Sequence, residues 1–212
     1  MAVVLLHGLG VGPRYFGPLV QELGGDVRTP SLRQPLPIVG LSLCLERLLE
    51  GPAVVVGNSM GCQYGVELAA RRPDLVEALV LVGPTVDPRA RNMPRQLGRL
   101  VADAWYEPLR LVAIVATDYL TLGPLDTLRQ ARHALAHRLE ELLPEVAAPT
   151  LVVRGAHDRL CGADWAREVA SLLPDAGLLT VSGAAHAAHF SHPAEVAAAI
   201  RRHVAGSRAA HA

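Results

Sequence analysis

Aromatic residues make up only 4% of this 212-residue chain. With so few large rings, alanine, leucine and valine must fill the core. Half of the residues are hydrophobic, which suits one domain with a sizeable interior. Charge of one sign is missing too. Twenty basic residues balance twenty acidic ones, so no overall field draws in nucleic acid or an anionic membrane. Cysteine is scarce. Cys44, Cys62 and Cys161 are odd in number and show no C-x-x-C spacing. That argues against a disulfide framework or a cysteine metal site, and fits reduced thiols in the cytoplasm. No long apolar run is present. The most apolar later stretch, residues 111–117, lies between Pro108, Arg110 and Asp118 and falls far short of the ~20 residues that cross a bilayer. The opening residues Ala2-Val3-Val4-Leu5-Leu6 have neither the basic segment nor the cleavage pattern of a secretion signal. No internal repeat or low-complexity stretch interrupts the chain.

Short aliphatic runs come next. Residues 3–6, 53–56, 78–82 and 151–153 are almost wholly apolar, and 178–181 is a weaker fifth. Runs without alternation suit parallel strands buried on both faces. Val27-Arg28-Thr29 is a sixth candidate. Helical spacing lies between them. Leu41, Leu45, Leu48 and Leu49 precede the stop Gly51-Pro52, and residues 60–72 end at Pro73. Trp165, Val169 and Leu172 form another stripe, and Pro193 opens a last helix carrying Val196, Ile200 and Val204. Strand and helix therefore alternate, which predicts an α/β fold with a mostly parallel sheet of about six strands flanked by helices. Residues 84–149 break the rhythm. Trp105, Leu109 and Val112 suggest one helix there, and Leu125, Leu128, Leu135, Leu139 and Leu142 another. The expected organisation is a core of residues 1–83 and 150–212 with a helical insertion at 84–149. The small, polar tail after Ala205 is expected to fray.

The chemistry concentrates at strand ends. Val54-Val55-Val56 runs into Gly57-Asn58-Ser59-Met60-Gly61, and a helix follows at once. Gly-x-Ser-x-Gly between strand and helix is the setting of a nucleophile elbow. The turn is so tight that its neighbours two positions away must be small. The serine hydroxyl then stands at a helix start, where the dipole favours negative charge. Leu5-Leu6-His7-Gly8-Leu9-Gly10 also follows a strand. Acyl transfer needs backbone N–H groups aimed at an oxyanion, and Met60 and Leu9 are placed to supply them. A dinucleotide fingerprint is excluded, because Pro13 or Tyr15 falls where its third glycine belongs. His7 reads as a hydrogen-bonding structural residue.

Leu151-Val152-Val153-Arg154-Gly155-Ala156-His157-Asp158 puts an aspartate just past a buried strand. Asp158 can accept an imidazole N–H and fix its tautomer. Asp87, after the strand at 78–82, is the rival acid. Between the last strand and last helix stand His186, His189 and His192. Their three-residue spacing suggests a metal, yet no acidic residue is near, and Pro193 argues against the helix that would align them. One catalytic base fits better. His186, nearest the strand end, is the first choice, His189 the alternative, and His192 a helix-start residue.

Together these residues resemble the α/β-hydrolase superfamily. Ser59 precedes Asp158, which precedes His186, in the family's order. His7-Gly8-Leu9-Gly10 is similar to its oxyanion loop and Gly155-Ala156-His157-Asp158 to its acid loop. Gly183-x-x-His186, with Pro193 beyond, is similar to its histidine loop and favours His186 over His189. The family's lid enters where residues 84–149 fall. One departure is clear: the first two family strands have no counterpart before residue 3.

The resemblance implies acyl transfer by a carboxylesterase-like enzyme. Ser59 attacks a carbonyl, His186 takes and returns the proton, Asp158 orients it, and Leu9 and Met60 hold the oxyanion. No cofactor and no metal are required. The apolar insertion suits a small, largely hydrophobic ester, thioester or lactone. Partners are thus a small-molecule substrate, without nucleic acid or membrane, and a homodimer is left open. Two alternatives use the same site: hydrolysis of a C–C bond, and a non-hydrolytic lyase or cyclase reaction. A third, a ligand-binding module without turnover, follows from the scaffold's versatility.

Overall fold

A computed structural model describes residues 2–210. Six strands form one parallel sheet in the order β2-β1-β3-β4-β5-β6. They are β1 (Val3–Leu6), β2 (Val27–Arg28), β3 (Ala53–Asn58), β4 (Val76–Val82), β5 (Thr150–Gly155) and β6 (Ala176–Val181). Five of them overlap the apolar runs, and β2 falls on the sixth candidate, Val27-Arg28-Thr29. Side chains alternate across the sheet, and both faces are dry. Leu6, Val55, Leu81 and Val152 point into one apolar layer. Leu5, Val56, Val82 and Val153 point into the other. Two-sided burial, at roughly 1.5–3 kcal/mol per Val or Leu, explains why the runs are continuous. β6 sits at the edge and is largely exposed, which is why its run is weak.

Helices cover each face. α2 (Ile38–Leu48), α3 (Met60–Arg71) and α8 (Ala163–Leu172) pack Leu41, Leu45, Leu68 and Trp165 on one side. α1 (Gly17–Leu23), α9 (Ala188–Ser191) and α10 (Pro193–Ala210) bring Leu19, Phe190, Val196 and Ile200 to the other. Cys44, Cys62 and Cys161 are all free thiols.

The strand order places the site. From β1 the chain moves outward to β2, then returns to β3 on the other side of β1. Such a reversal opens a crevice at the carboxyl ends of the two strands. Leu6 of β1 pairs with Gly57 of β3, so the loops carrying Leu9 and Ser59 leave the sheet side by side. Asn58 pairs with Val82, and Gly155 with Val181, which brings the next loops to the same edge.

Between β4 and β5 lie only helices: α4 (Met93–Ala104), α5 (Leu109–Leu122), α6 (Pro124–Ala136) and α7 (Leu139–Leu142), with two short 3-10 turns. Three expectations are corrected here. Trp105 does not share a helix with Leu109. It caps α4 and is 86% exposed, because Pro108 disfavours helical backbone in the residue before it and a new helix starts at Leu109. The leucines from Leu125 to Leu142 do not form one helix, since His137 turns extended and separates α6 from α7. The tail after Ala205 does not fray before residue 210. α10 continues to Ala210, and Arg208 pairs with Glu77 at 2.6 Å; residues 211–212 lie outside the described residues. Among the described residues no single helix is long and apolar enough to cross a membrane, although α5 and α6 form a bent pair of sufficient apolar length.

Candidate active site

Ser59 sits between β3 and α3 with φ 56° and ψ −120°. A non-glycine residue at positive φ stores roughly 1–3 kcal/mol of strain. The strand before it and the helix after it enforce that strain. Its N–H donates to Val82 O at 3.0 Å, and its carbonyl accepts from Cys62 N–H at 3.0 Å. The flanking glycines are sterically required. A Cβ on Gly57 would lie 2.7 Å from Gly61 backbone, and one on Gly61 would lie 2.0 Å from Leu6 O. Met60 is the first residue of α3, where backbone N–H groups have no partner within the helix. Leu9, Ser59, Met60 and His186 line one cavity.

Asp158 is buried and fully committed. Its Oδ1 accepts the N–H groups of Leu160 and Cys161, both at 2.8 Å, and its Oδ2 lies 3.0 Å from His186 Nδ1. That contact directs Nε2 of His186 toward the cavity side. Nε2 is buried and has no hydrogen-bond partner among the described residues, while Ser59 Oγ lies 3.5 Å from Thr85 Oγ1. Nε2 and Ser59 Oγ thus make no hydrogen bond to each other; in enzymes generally, nucleophile–base contacts are often long before substrate binds. Burial pulls the His186 pKa down. The carboxylates of Asp158, Asp103 and Glu107 outweigh it and leave the imidazole at about 9.

The rivals are placed elsewhere. Asp87 caps a 3-10 turn through Arg89 N–H at 2.9 Å and pairs with Arg89 and Arg99. His189 is enclosed by Tyr15 and Phe16, with ring centroids 4.6 Å from each. His192 accepts Val196 N–H through its carbonyl and so begins α10. His7 has the structural role its position suggested. Its Nε2 accepts Leu32 N–H at 2.9 Å, and Nδ1 lies 3.0 Å from Gly8 O.

Several residues were not visible as site residues in the sequence. Asn58 donates to Val82 O and His186 O and accepts from Tyr15 Oη, tying the elbow to the histidine loop. Gly83, at φ 57°, lets the chain pass the His186–Asp158 pair; a Cβ there would lie 2.8 Å from His186 Nδ1. Residues of the inserted helices reach the loop after β1. Gln130 Oε1 accepts Gly10 N–H, and Asp118 Oδ2 accepts Gly12 N–H, each at 2.9 Å. Asp118 also pairs with Arg14 at 2.6 Å. One signal was available: Asp118 borders the apolar stretch that lies within α5, and an acid there needs a partner if buried.

The cavity holds about 940 Å³. α4, α5 and α6 wall it with Leu97, Leu100, Val115, Leu120, Leu128 and Leu135. Among the described residues its lining contains no Asp, Glu, Lys or Arg. A strained serine at a strand–helix turn, a histidine held by a buried aspartate and a large apolar cavity together define a hydrolase-type site.

The chain belongs to the alpha/beta hydrolase family, whose pattern it matches over residues 3–199. It is similar to the pimeloyl-[acyl-carrier protein] methyl ester esterase of Aromatoleum aromaticum, with 30% identity covering 96% of this chain and 98% of that protein. Among solved structures it is similar to the enol-lactonase of Burkholderia xenovorans, with TM-score 0.80 and 21% identity over 96% of this chain and 90% of that one. It is also similar to a thermophilic esterase of Thermogutta terrifontis, with TM-score 0.76 and 22% identity over 98% of this chain and 90% of that one.

Proposed function

We propose that this chain is a carboxylic ester hydrolase that works through an acyl-enzyme on Ser59. The observation that carries the reading is the strained Ser59 beside the His186–Asp158 pair at the wall of an apolar cavity. In this mechanism neutral His186 takes the Ser59 proton as Oγ attacks the carbonyl carbon. The Leu9 and Met60 N–H groups hold the oxyanion; one such donor is typically worth ~10²–10³ in turnover. His186 then protonates the departing alkoxide, and water, deprotonated by His186, releases the acid.

Residues 84–149 act as a cap that selects the substrate. The cap side of the lining is apolar and, among the described residues, carries no Asp, Glu, Lys or Arg, with His186 at the Ser59 end; a free carboxylate lodged against the cap would lack a partner at a cost of several kcal/mol, so the acyl chain enters neutral. The volume is at the upper end of ordinary ligand sites, about 300–1,000 Å³, and suits a medium-length chain. The relatives' esterase activity makes a methyl ester of an acyl chain, free or carried on a carrier protein, the first substrate to test. The experiment is a series of methyl and nitrophenyl esters of increasing chain length, with Ser59→Ala as control. Turnover that grows with chain length and vanishes in Ser59→Ala supports the reading. Turnover that survives in Ser59→Ala contradicts it.

A further inference from the structure

We infer that Asp103, in the last turn of α4, and Glu107, in the connection from α4 to α5, are positioning residues that fix the histidine loop and hold the charge of His186. The inference rests on the proposed role of His186 as base.

Its foundation is geometric. Asp103 Oδ1 accepts the N–H of Arg159, the residue after Asp158, at 2.9 Å. Asp103 Oδ2 accepts the N–H of His186 at 3.3 Å. Glu107 Oε1 accepts the N–H of Ala187 at 2.6 Å. The end of α4 and the connection after it therefore take three amides from two loops distant in sequence. Between the two acids, Tyr106 stacks on His157 at 5.1 Å and 9°. The Arg159 guanidinium lies 5.2 Å over the Tyr106 ring and donates to its hydroxyl at 3.0 Å. This segment thus grips the acid loop on both sides of Asp158.

A tether alone does not explain the charges. Asp103 is 2% exposed, and Glu107 Oε2 is buried with no hydrogen-bond partner among the described residues. Buried carboxylates cost several kcal/mol unless a cation compensates them. Amides or hydroxyls would accept the same N–H groups more cheaply. The compensating charge is the imidazolium of His186, which Asp158, Asp103 and Glu107 share. The other groups facing this cluster are neutral or engaged. His189 on the same loop stays uncharged because burial lowers its pKa. Tyr15, Cys62 and Cys161 keep their protons because burial raises theirs. Arg159 is held on Tyr106. Burial and the neighbouring acid Asp103 also raise Glu107 itself to about 7. The α4 side chains Met93, Gln96, Leu97 and Leu100 line the cavity, so the helix that touches substrate also carries the acid that holds the base.

The test is the titration of His186 in the full chain, read by NMR of the labelled imidazole and assigned by its loss in His186→Gln. Glu107→Gln keeps an oxygen for Ala187 N–H and removes the charge. The expected result is a fall of the His186 midpoint by on the order of one pH unit, a tenfold loss of proton affinity. The low-pH limb of Ser59 phosphonylation by a fluorophosphonate should fall by the same amount. Asp103→Asn should act in the same direction, and exposed Glu145→Gln should change neither. If Asp103→Asn does not fold, Glu107→Gln alone decides. An unmoved midpoint in Glu107→Gln overturns the inference and leaves the proposed function standing. Absence of Ser59 labelling in the unmodified protein refutes the function instead, and the imidazole titration still decides the inference.

Discussion

Replacing His189 by phenylalanine separates the two histidines that share the loop between β6 and α10. His189 is completely buried, and neither ring nitrogen has a hydrogen-bond partner among the described residues. Burial, with the nearby His186 charge, lowers its pKa from 6.5 to about 3. In the unfolded chain it titrates near 6.5. Between these values the unfolded state binds a proton that the folded state refuses. Stability is therefore intact above pH 6.5 and is lost as pH falls toward 3. The slope is at most about 1.4 kcal/mol per pH unit, and the whole effect is roughly 4–5 kcal/mol. Phenylalanine keeps the ring contacts with Tyr15 and Phe16 and cannot titrate. Urea unfolding of both proteins at pH 7.5 and pH 5 measures the difference. Between those two conditions the variant should gain about 2 kcal/mol relative to the unmodified protein, with ester turnover within a few-fold of normal. A gap that stays constant with pH would refute the buried neutral histidine. A thousandfold loss of turnover would make His189, not His186, the base.

Other expectations follow from the same contacts. Asp158→Asn should lower kcat/KM by ~10³–10⁴ through loss of the correct tautomer, whereas Asp87→Asn should keep it within a few-fold, because Asp87 only caps a turn and pairs with arginines; steady-state kinetics on one ester compares them. His186 accepts a proton only when neutral and is held at about 9, so kcat/KM should rise with pH through an inflection above 7, and an inflection at or below 6.5 would contradict the account. Gly61→Ala forces a Cβ to within 2.0 Å of Leu6 O and should destabilise by ~3 kcal/mol or more, visible as a large fall in Tm.

The strands were legible because two-sided burial leaves unbroken apolar runs, and the order of Ser59, Asp158 and His186 was legible because each follows such a run. The choice between His186 and His189 came from nearness to the strand end and from loop resemblance. The structure adds the physical difference: one faces a carboxylate, the other two aromatic rings. The insertion was only partly legible. Its helices line the cavity with apolar residues and also carry exposed leucines outside that lining, such as Leu109 and Leu125, 86% and 69% exposed. Hydrophobic spacing therefore did not mark their ends, and the stripe of α4, Met93, Leu97, Leu100, Val101 and Ala104, was legible but passed over, with Leu97 and Val101 more than half exposed. Asp103, Glu107 and Gln130 were invisible as site residues, and Asp118 showed only as an acid beside an apolar stretch, because each acts on a backbone N–H group more than fifty positions away. Long-range contacts of side chain to main chain leave no local pattern.

The central claim is that Ser59 is the nucleophile. Labelling the intact protein with a fluorophosphonate, followed by peptide mapping, tests it most directly. The account predicts a single adduct on Ser59, absent in Ser59→Ala and formed far more slowly in His186→Gln. An adduct on any other residue, or none on Ser59, would contradict it.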